Sequence, residues 1–316
     1  MKYLSKIGSF IFYYIKSMRL YYAFVTLTAG WVGVAMYQTE NTCSLLNKII
    51  TLAIMFVGWG VNQIINDYMG LEEDRINAPE RPMVNGKLQA KPALFVSAFV
   101  ISIAVIWSFV QNPLSLIPLL GGVLMNIIYS YAKGYGVWGN LAFGLSISAC
   151  TWYSYVVLGG SLLGFFSNHW VVWSIVVLFN MIMTYFTYFK DYMGDKEAGK
   201  NTLVVKWGLQ KASNIGVLIS FIPVIIFAIL YNGDNKFLIS AILASILFLM
   251  TGLLFKKESQ GKNTYFNLKY NFAALSASQG CLVCYLGFGL EGLTLTICSI
   301  IGVLGIFSLG YRNEKA

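Results

Sequence analysis

Two acidic clusters contain the residues of this chain that are best suited to chemistry. The first lies between Asn66 and Asp74, and the second lies between Asp191 and Asp195. Each cluster comes directly after a long apolar stretch of the kind that forms a membrane helix. Ionisable groups at a membrane boundary are costly and are therefore candidates for function. The sequence predicts a functional site at these two positions.

The spacing of the second cluster indicates which chemistry this site would perform. Asp191 and Asp195 are four residues apart, so at a helix end their carboxylates point the same way and can share a hard cation. Mg²⁺ prefers oxygen ligands and often keeps substrate phosphate in its coordination shell. One or two carboxylates from each cluster, with a diphosphate, would complete that shell. Basic residues would then neutralise phosphate charge, and the candidates are Arg19, Arg81, Lys133, Lys190 and Lys200.

The composition of the chain places these clusters in a membrane protein. Of its 316 residues, 57% are hydrophobic and only 11% are charged, and the mean hydropathy is +0.67. These values exclude an ordinary soluble protein. Apolar runs long enough to cross a bilayer predict ten spans, near 20–37, 47–66, 92–111, 113–132, 137–160, 170–189, 212–231, 236–255, 270–289 and 292–310. The last two are interrupted by glycines, so we expect nine to ten spans in a single all-α domain, 1–316.

The distribution of basic residues orients these spans. With ten spans, all 22 Lys and Arg residues except Lys48 and Lys236 fall on one side of the membrane. Because basic residues favour the cytoplasmic side, both acidic clusters should face the cytoplasm, and we expect the membrane to be the plasma (inner) membrane. Membrane topology thereby explains the net positive charge of the chain, and no nucleic-acid binding is needed. Residues 1–19 have no signal-peptide pattern, and their alternation of basic residues with short apolar pieces predicts an interfacial amphipathic segment.

The first cluster also has a recognisable pattern. The string Asn66-Asp67-x-x-Gly70-x-x-x-Asp74, followed by Arg81-Pro82, resembles the first aspartate-rich motif of the UbiA superfamily of intramembrane prenyltransferases. The string from Lys190 to Leu203, KDYMGDKEAGKNTL, is similar to the second motif of that family, and it is the stronger signal. A third segment resembles the link between helices four and five of that family; it runs from Tyr129-Ser130 through Lys133 and then Gly139-Asn140. The resemblance covers about Arg19 to Gly208.

The resemblance implies both a fold and a set of site residues. The fold would be a helical bundle, usually of nine spans, that encloses a lateral tunnel for a prenyl chain, with cytoplasmic loops capping the diphosphate. The implied metal ligands are Asn66, Asp67, Asp74, Asp191 and Asp195, of which the four aspartates would be catalytic. The implied diphosphate-binding residues are Asn66, Arg81, Lys133 and Lys190, to which the residue pattern adds Arg19.

One position departs from the family pattern. The middle aspartate of the first motif is Gly70 in this chain. Three explanations are open: Glu72 or Glu73 takes its place, the first metal ion binds more weakly, or the protein does not perform standard transfer.

These features together predict a Mg²⁺-dependent prenyltransferase. It would move a prenyl group from an isoprenyl diphosphate to a hydrophobic acceptor, either an aromatic quinone precursor or a lipid. Aromatic rings would stabilise the allylic cation, with Tyr68, Tyr129, Tyr185 and Tyr188 as candidates. The alternative is a membrane terpene cyclase on the same scaffold. A transporter is disfavoured, because the sequence places essentially no ionisable residue near the middle of the membrane.

Overall fold

The computed structural model is built from helices. It describes the backbone of residues 2–313 and the side-chain surroundings of residues 6–309 except 73, 76, 77 and 262. Within 2–313 there is no β-strand, only an isolated bridge between Tyr135 and Asn201. The α-helices are α1 Lys2–Met18, α2 Ala23–Gln38, α3 Leu45–Met69, α4 Leu71–Asn77, α5 Ala90–Gln111, α6 Leu116–Ala132, α7 Val137–Val157, α8 Leu162–Thr187, α9 Tyr192–Glu197, α10 Leu203–Trp207, α11 Leu209–Ile219, α12 Ile222–Leu230, α13 Asn235–Lys257, α14 Lys262–Tyr285 and α15 Gly289–Asn313.

Many of these helices can cross a membrane, which makes the chain a multi-pass membrane protein. Among the described residues, seven segments are long and apolar enough, and the helices α1 and α2, which meet at 67°, add an eighth if they form one broken span. The seven are Leu45–Met69, Ala90–Gln111, Pro113–Ala132, Leu162–Thr187, Leu209–Leu230, Asn235–Lys257 and Gly289–Leu309. The expected nine to ten spans would also require α7 and α14 to cross. Both helices are present at the expected places but do not belong to this set.

The helices α7 and α14 lie at the centre of the bundle. Helix α7 packs against α2, α6 and α8, and α14 packs against α13, α15 and α2. Their polar side chains bond to neighbouring helices: Thr151 Oγ1 donates to the carbonyl oxygen of Ala29 at 2.8 Å, and Asn271 Nδ2 donates to that of Met183 at 2.8 Å. Because these helices face protein rather than lipid, they tolerate polar residues that lower their hydropathy.

The small residues of α2 allow the central helices to pack closely. A Cβ atom added at Gly33 would lie 2.0 Å from the carbonyl oxygen of Thr151 in α7. Only glycine can therefore occupy this contact, and any larger residue would push α2 and α7 apart.

Helix α1 differs from the helices of the bundle. On one side it packs against α3 and α5, where the Tyr14 hydroxyl lies 2.9 Å from Ser97 Oγ. On the other side it exposes the apolar side chains of Ile7, Ile11, Phe12 and Ile15. This two-sided pattern is typical of a helix at a membrane surface, and the interfacial position of residues 1–19 stays a prediction.

Candidate active site

The first acidic cluster forms a compact group of ion pairs at the end of α3. Asp67 lies in the last turn of α3 and is only 2% exposed. Arg19, at the bend between α1 and α2, donates from Nη2 to Asp67 Oδ1 at 2.6 Å and from Nη1 to Gln63 Oε1 at 2.7 Å. Arg81 Nη1 lies 3.4 Å from Asp67 Oδ1 and also pairs with Asp74, which is buried in α4. We call Arg19, Asp67, Asp74 and Arg81 the first half-site.

The second acidic cluster forms a matching group after α8. Asp191 precedes the first residue of α9, and Asp195 lies one turn later, which confirms that the two side chains share a face. Lys133 Nζ is 3.3 Å from Asp191 Oδ2 and 2.9 Å from Asp195 Oδ1. Lys190 Nζ is 3.9 Å from Asp191 Oδ1. We call Lys133, Lys190, Asp191 and Asp195 the second half-site.

The two carboxylates that share Lys133 are not equivalent. Desolvation disfavours the charge of Asp191, but Lys190 and Lys133 more than offset it and lower its pKa. For Asp195, desolvation outweighs the attraction of Lys133, so its pKa is raised. Desolvation also opposes the charge of Lys133, yet the two aspartates raise the pKa of this ammonium. Asp195 is therefore the carboxylate of this pair whose charge is less well compensated.

A short backbone link positions Lys133 in the second half-site. The loop after α6 runs beside the loop after α9, where Gly136 N donates to the Asn201 carbonyl oxygen at 3.0 Å and Asn201 N donates to that of Gly134 at 3.2 Å. Gly136 has φ +64° and ψ −125°, a conformation that residues with a Cβ atom rarely adopt. The lysine and its carboxylate partners are thus joined by main-chain bonds as well as by charge.

The two half-sites meet at one cavity of about 580 Å³. Asp67 of the first cluster and Asp191 of the second both line it, with Arg19, Arg81 and Lys190. The remaining lining residues are Lys16, Ser17, Tyr21, Tyr22, Ala78, Glu80, Pro82, Asn85, Lys87, Phe189, Tyr192, Met193, Gln260, Gly261 and Tyr265. Carboxylates of both acidic clusters, which the sequence predicts to share one cation, thus line the same cavity.

Not every expected residue reaches this cavity. Asp74, Asp195 and Lys133 are not among its lining residues. Asp74 pairs with Arg81 and Lys133 pairs with Asp191, both of which line it, and Asp195 pairs with Lys133. Asn66 is exposed and is not among the lining residues, so the structure gives no support to its expected role as a ligand. The side chains of Asn66 and Asp67 are about 100° apart around α3, and of the two only Asp67 lines the cavity.

Glu72, one of the two residues expected to replace the missing carboxylate at position 70, also lies away from the cavity lining. The side chain of Glu72 is 84% exposed and pairs with Arg75 at 3.2 Å on the surface of α4. Glu72 therefore does not line the cavity, and its replacement of the missing aspartate stays a prediction. The side chain of Glu73 lies outside the described residues.

The structure adds residues that the sequence did not indicate. Arg19 donates to both Gln63 and Asp67. Gln63 lies four residues before Asp67 and therefore on the same face of α3, and this spacing could have indicated its role. The rings that line the cavity are Tyr21, Tyr22, Phe189, Tyr192 and Tyr265, rather than the four expected tyrosines Tyr68, Tyr129, Tyr185 and Tyr188. Tyr21 and Tyr265 also face each other, with their hydroxyl oxygens 3.0 Å apart.

The carboxylates fit a hard cation such as Mg²⁺. Asp67 Oδ2 and Asp195 Oδ2 are buried, and neither has a hydrogen-bond partner among the described residues. A buried carboxylate oxygen without a partner is costly, and a cation would satisfy it. Within the described part of the chain, no three acidic, histidine or cysteine side chains form a ready metal cluster. A bound metal ion would therefore need further oxygen ligands, which a diphosphate can provide.

The sequence of this chain is similar to those of known prenyltransferases. The profile of the UbiA prenyltransferase family matches residues 23–273. A digeranylgeranylglyceryl phosphate synthase from Methanosphaera stadtmanae is 28% identical over 286 residues, which cover 85% of this chain and 99% of that protein. The protein of the same name from Methanococcoides burtonii is 28% identical over 282 residues, with coverage of 83% and 97%.

Solved structures show the same fold. A UbiA homolog from Archaeoglobus fulgidus, bound to GPP and Mg²⁺, has a TM-score of 0.60 at 16% identity, over 89% of this chain and 99% of that one. A structure of a digeranylgeranylglyceryl phosphate synthase has a TM-score of 0.59 at 20% identity, over 92% and 99%. The expected fold and the expected enzyme class are confirmed at this level. Since the family profile matches most of its length, the chain belongs to the UbiA prenyltransferase family.

Proposed function

We propose that this protein transfers a prenyl group from an isoprenyl diphosphate to the hydroxyl group of a lipid that carries a glyceryl phosphate. The observation that carries the proposal is the single cavity lined by both Asp67 and Asp191, with three basic side chains beside them. The names of the relatives support the substrate class, because digeranylgeranylglyceryl phosphate contains two prenyl groups on one glyceryl phosphate.

The basic residues of the cavity would bind the donor diphosphate. Arg19 and Arg81 offer planar guanidinium groups, which suit phosphate oxygens, and Lys190 adds a point charge. Mg²⁺, held by Asp67, Asp191 and Asp195, would supply charge neutralisation for the leaving diphosphate. These carboxylates and cations would thus favour departure of the diphosphate over its return.

The reaction exchanges one bond from prenyl C1 to oxygen for another and releases the acceptor's hydroxyl proton. The bond between prenyl C1 and the diphosphate oxygen breaks, and its electron pair leaves with the diphosphate. The hydroxyl oxygen of the acceptor forms the new ether bond to C1, and the hydroxyl proton passes to solvent. Aromatic faces on the cavity, such as Tyr22 and Tyr265, would stabilise the allylic cation while it lasts.

The prenyl chain requires an apolar space that continues from the diphosphate. A second cavity, of about 220 Å³, lies between α2, α3, α6 and α7 and is lined mainly by apolar residues, among them Met55, Trp59, Leu119 and Ile147. This cavity is a suitable place for part of the chain. The active site would face the cytoplasm from a plasma (inner) membrane, as the distribution of basic residues favours.

Product analysis tests this function. The purified protein in lipid nanodiscs is given geranylgeranyl diphosphate and Mg²⁺ with one of two acceptors, geranylgeranylglyceryl phosphate or an aromatic quinone precursor. We expect the digeranylgeranyl ether from the first acceptor, and Asp191→Asn serves as the inactive control. If only the aromatic acceptor is prenylated, the acceptor is an aromatic compound and the proposed lipid acceptor is wrong. A cyclic hydrocarbon formed without any acceptor would establish the cyclase alternative instead.

A further inference from the structure

Two lysines on the cavity are not used by either half-site. Arg19 and Arg81 pair with Asp67, and Lys190 lies near Asp191. Lys16 and Lys87 also line the cavity. Neither forms an ion pair with a carboxylate of the described residues, and Lys87 Nζ lies only over the ring of Tyr13, at 5.7 Å. With five basic side chains and three acidic ones, the third acid being Glu80, the cavity lining carries a net positive charge.

A buried hydroxyl group lies beside these lysines. Ser17 follows Lys16 in α1, lines the same cavity and is 2% exposed. Its Oγ atom has no hydrogen-bond partner among the described residues. A buried hydroxyl without a partner is costly, because it has lost its bonds to water. An anion in this part of the cavity would accept a hydrogen bond from Ser17 while it contacts the lysines.

The position of α1 indicates which anion this would be. The helix presents Ile7, Ile11, Phe12 and Ile15 on its exposed face and reaches the cavity at its other end, through Lys16 and Ser17. An amphiphile in the bilayer that lies along this helix would place its headgroup at the lysines. The donor diphosphate, in contrast, belongs with the metal-binding carboxylates of the half-sites.

We propose that Lys16, Ser17 and Lys87 bind the phosphate group of the acceptor lipid. This inference rests on the proposed function and adds a second phosphate site to it. The two lysines neutralise a phosphomonoester, Ser17 donates a hydrogen bond to it, and the acceptor hydroxyl, a few bonds away on the glycerol, is directed toward the half-sites. An acceptor without a phosphate gains nothing from this site.

Steady-state kinetics with paired acceptors test the site. The variant Lys16→Met/Lys87→Met is compared with wild type using geranylgeranylglyceryl phosphate and its neutral analogue geranylgeranylglycerol, each with geranylgeranyl diphosphate. We expect the ratio of kcat/KM for the phosphorylated acceptor to that for the neutral one to fall about tenfold or more. The KM for geranylgeranyl diphosphate should not change. Ser17→Ala should lower the ratio less, and Lys16→Arg/Lys87→Arg should restore most of it.

The control variant is Lys6→Met, which removes a lysine from the same helix away from the cavity and should leave the ratio unchanged. If wild type transfers the prenyl group but the double variant keeps the wild-type ratio, the phosphate site is overturned and the proposed function stands. A rise in the KM for geranylgeranyl diphosphate would assign the lysines to the donor and also overturn the inference.

A binding measurement separates this inference from the reaction. Thermal stabilisation of the protein by geranylgeranylglyceryl phosphate reports binding without turnover. If wild type transfers no prenyl group, the proposed function fails. Weaker stabilisation of the double variant than of wild type would then still support the phosphate site, and equal stabilisation would overturn it.

Discussion

At the scale of single residues, Asp195 is the sharpest test of the metal site. Its Oδ2 atom has no hydrogen-bond partner among the described residues, and burial raises its pKa. Asp195→Asn should lower Mg²⁺-dependent kcat/KM about a hundredfold, roughly 3 kcal/mol, because a ligand and its charge are lost beside the departing diphosphate. Initial rates in nanodiscs measure this. Glu197→Gln, an exposed neighbour on α9, is the control, and near-normal activity of Asp195→Asn would remove it from the site.

Gly70 lies next to the first half-site and has no side chain that could bind a metal ion. Its φ of −92° is open to any residue, and an added Cβ would lie 3.3 Å from the Asn66 carbonyl oxygen and 3.8 Å from Asp74 Oδ2. Gly70→Asp should therefore supply a further carboxylate and lower the Mg²⁺ concentration for half-maximal rate several-fold, with the same product. A Mg²⁺ titration of the rate measures this, with Gly70→Asn as the uncharged control. A higher Mg²⁺ requirement would mean that the site is already filled.

The sequence predicted the charged members of the site better than their surroundings. Asp191, Asp195 and Lys133 were expected together and lie together, since the four-residue spacing fixes two of them. Asn66 was expected in the site and Gln63 was not, because the exact end of α3 decides which faces remain buried. Lys16 and Ser17 could not be assigned from sequence, since their approach to the cavity depends on the bend between α1 and α2.

At the scale of elements, the link between the α6 and α9 loops depends on Gly136. Any residue with a Cβ atom is strained at its φ of +64° and ψ of −125°. Gly136→Ala should cost about 1–3 kcal/mol of stability and lower the rate, because it disturbs the loop that holds Lys133. Thermal unfolding and initial rates measure the two effects.

The matched control is Gly134→Ala in the same loop. A Cβ there would meet only Lys200, at 4.0 Å, and its φ is not positive. This variant should be close to wild type in both measurements. Equal losses in the two variants would show that the strained backbone at Gly136 is not the cause.

Elements at the surface of the bundle were easier to predict than those at its centre. Helix α5 and the segment Pro113–Ala132, which contains α6, are largely exposed on the outside of the bundle, and both are clear apolar runs in the sequence. Helix α14 contains Asn267, Asn271 and Gln279, which are buried against other helices. Its hydropathy alone cannot distinguish a buried span from a soluble helix, so the number of spans depends on packing that the sequence does not display.

At the scale of the whole molecule, both acidic loops should face the cytoplasm. Single cysteines at Glu80 and Glu197, both exposed beside the half-sites, and at Asn168, exposed at the start of α8, test this orientation in a background without native cysteines. A membrane-impermeant thiol reagent should label Asn168→Cys from outside intact cells and the other two only after lysis. Labelling of all three from one side would contradict the span count.

The ion pairs of the two half-sites also affect how the protein would bind its ligands. In each half-site two basic side chains face two carboxylates, so each half-site balances its own charge. A metal ion alone must compete with the cations, and a diphosphate alone must compete with the carboxylates. When both enter, each takes the partners that the other releases. Their affinities are therefore linked, and an unreactive prenyl diphosphate analogue should tighten Mg²⁺ binding by the same factor as Mg²⁺ tightens binding of the analogue.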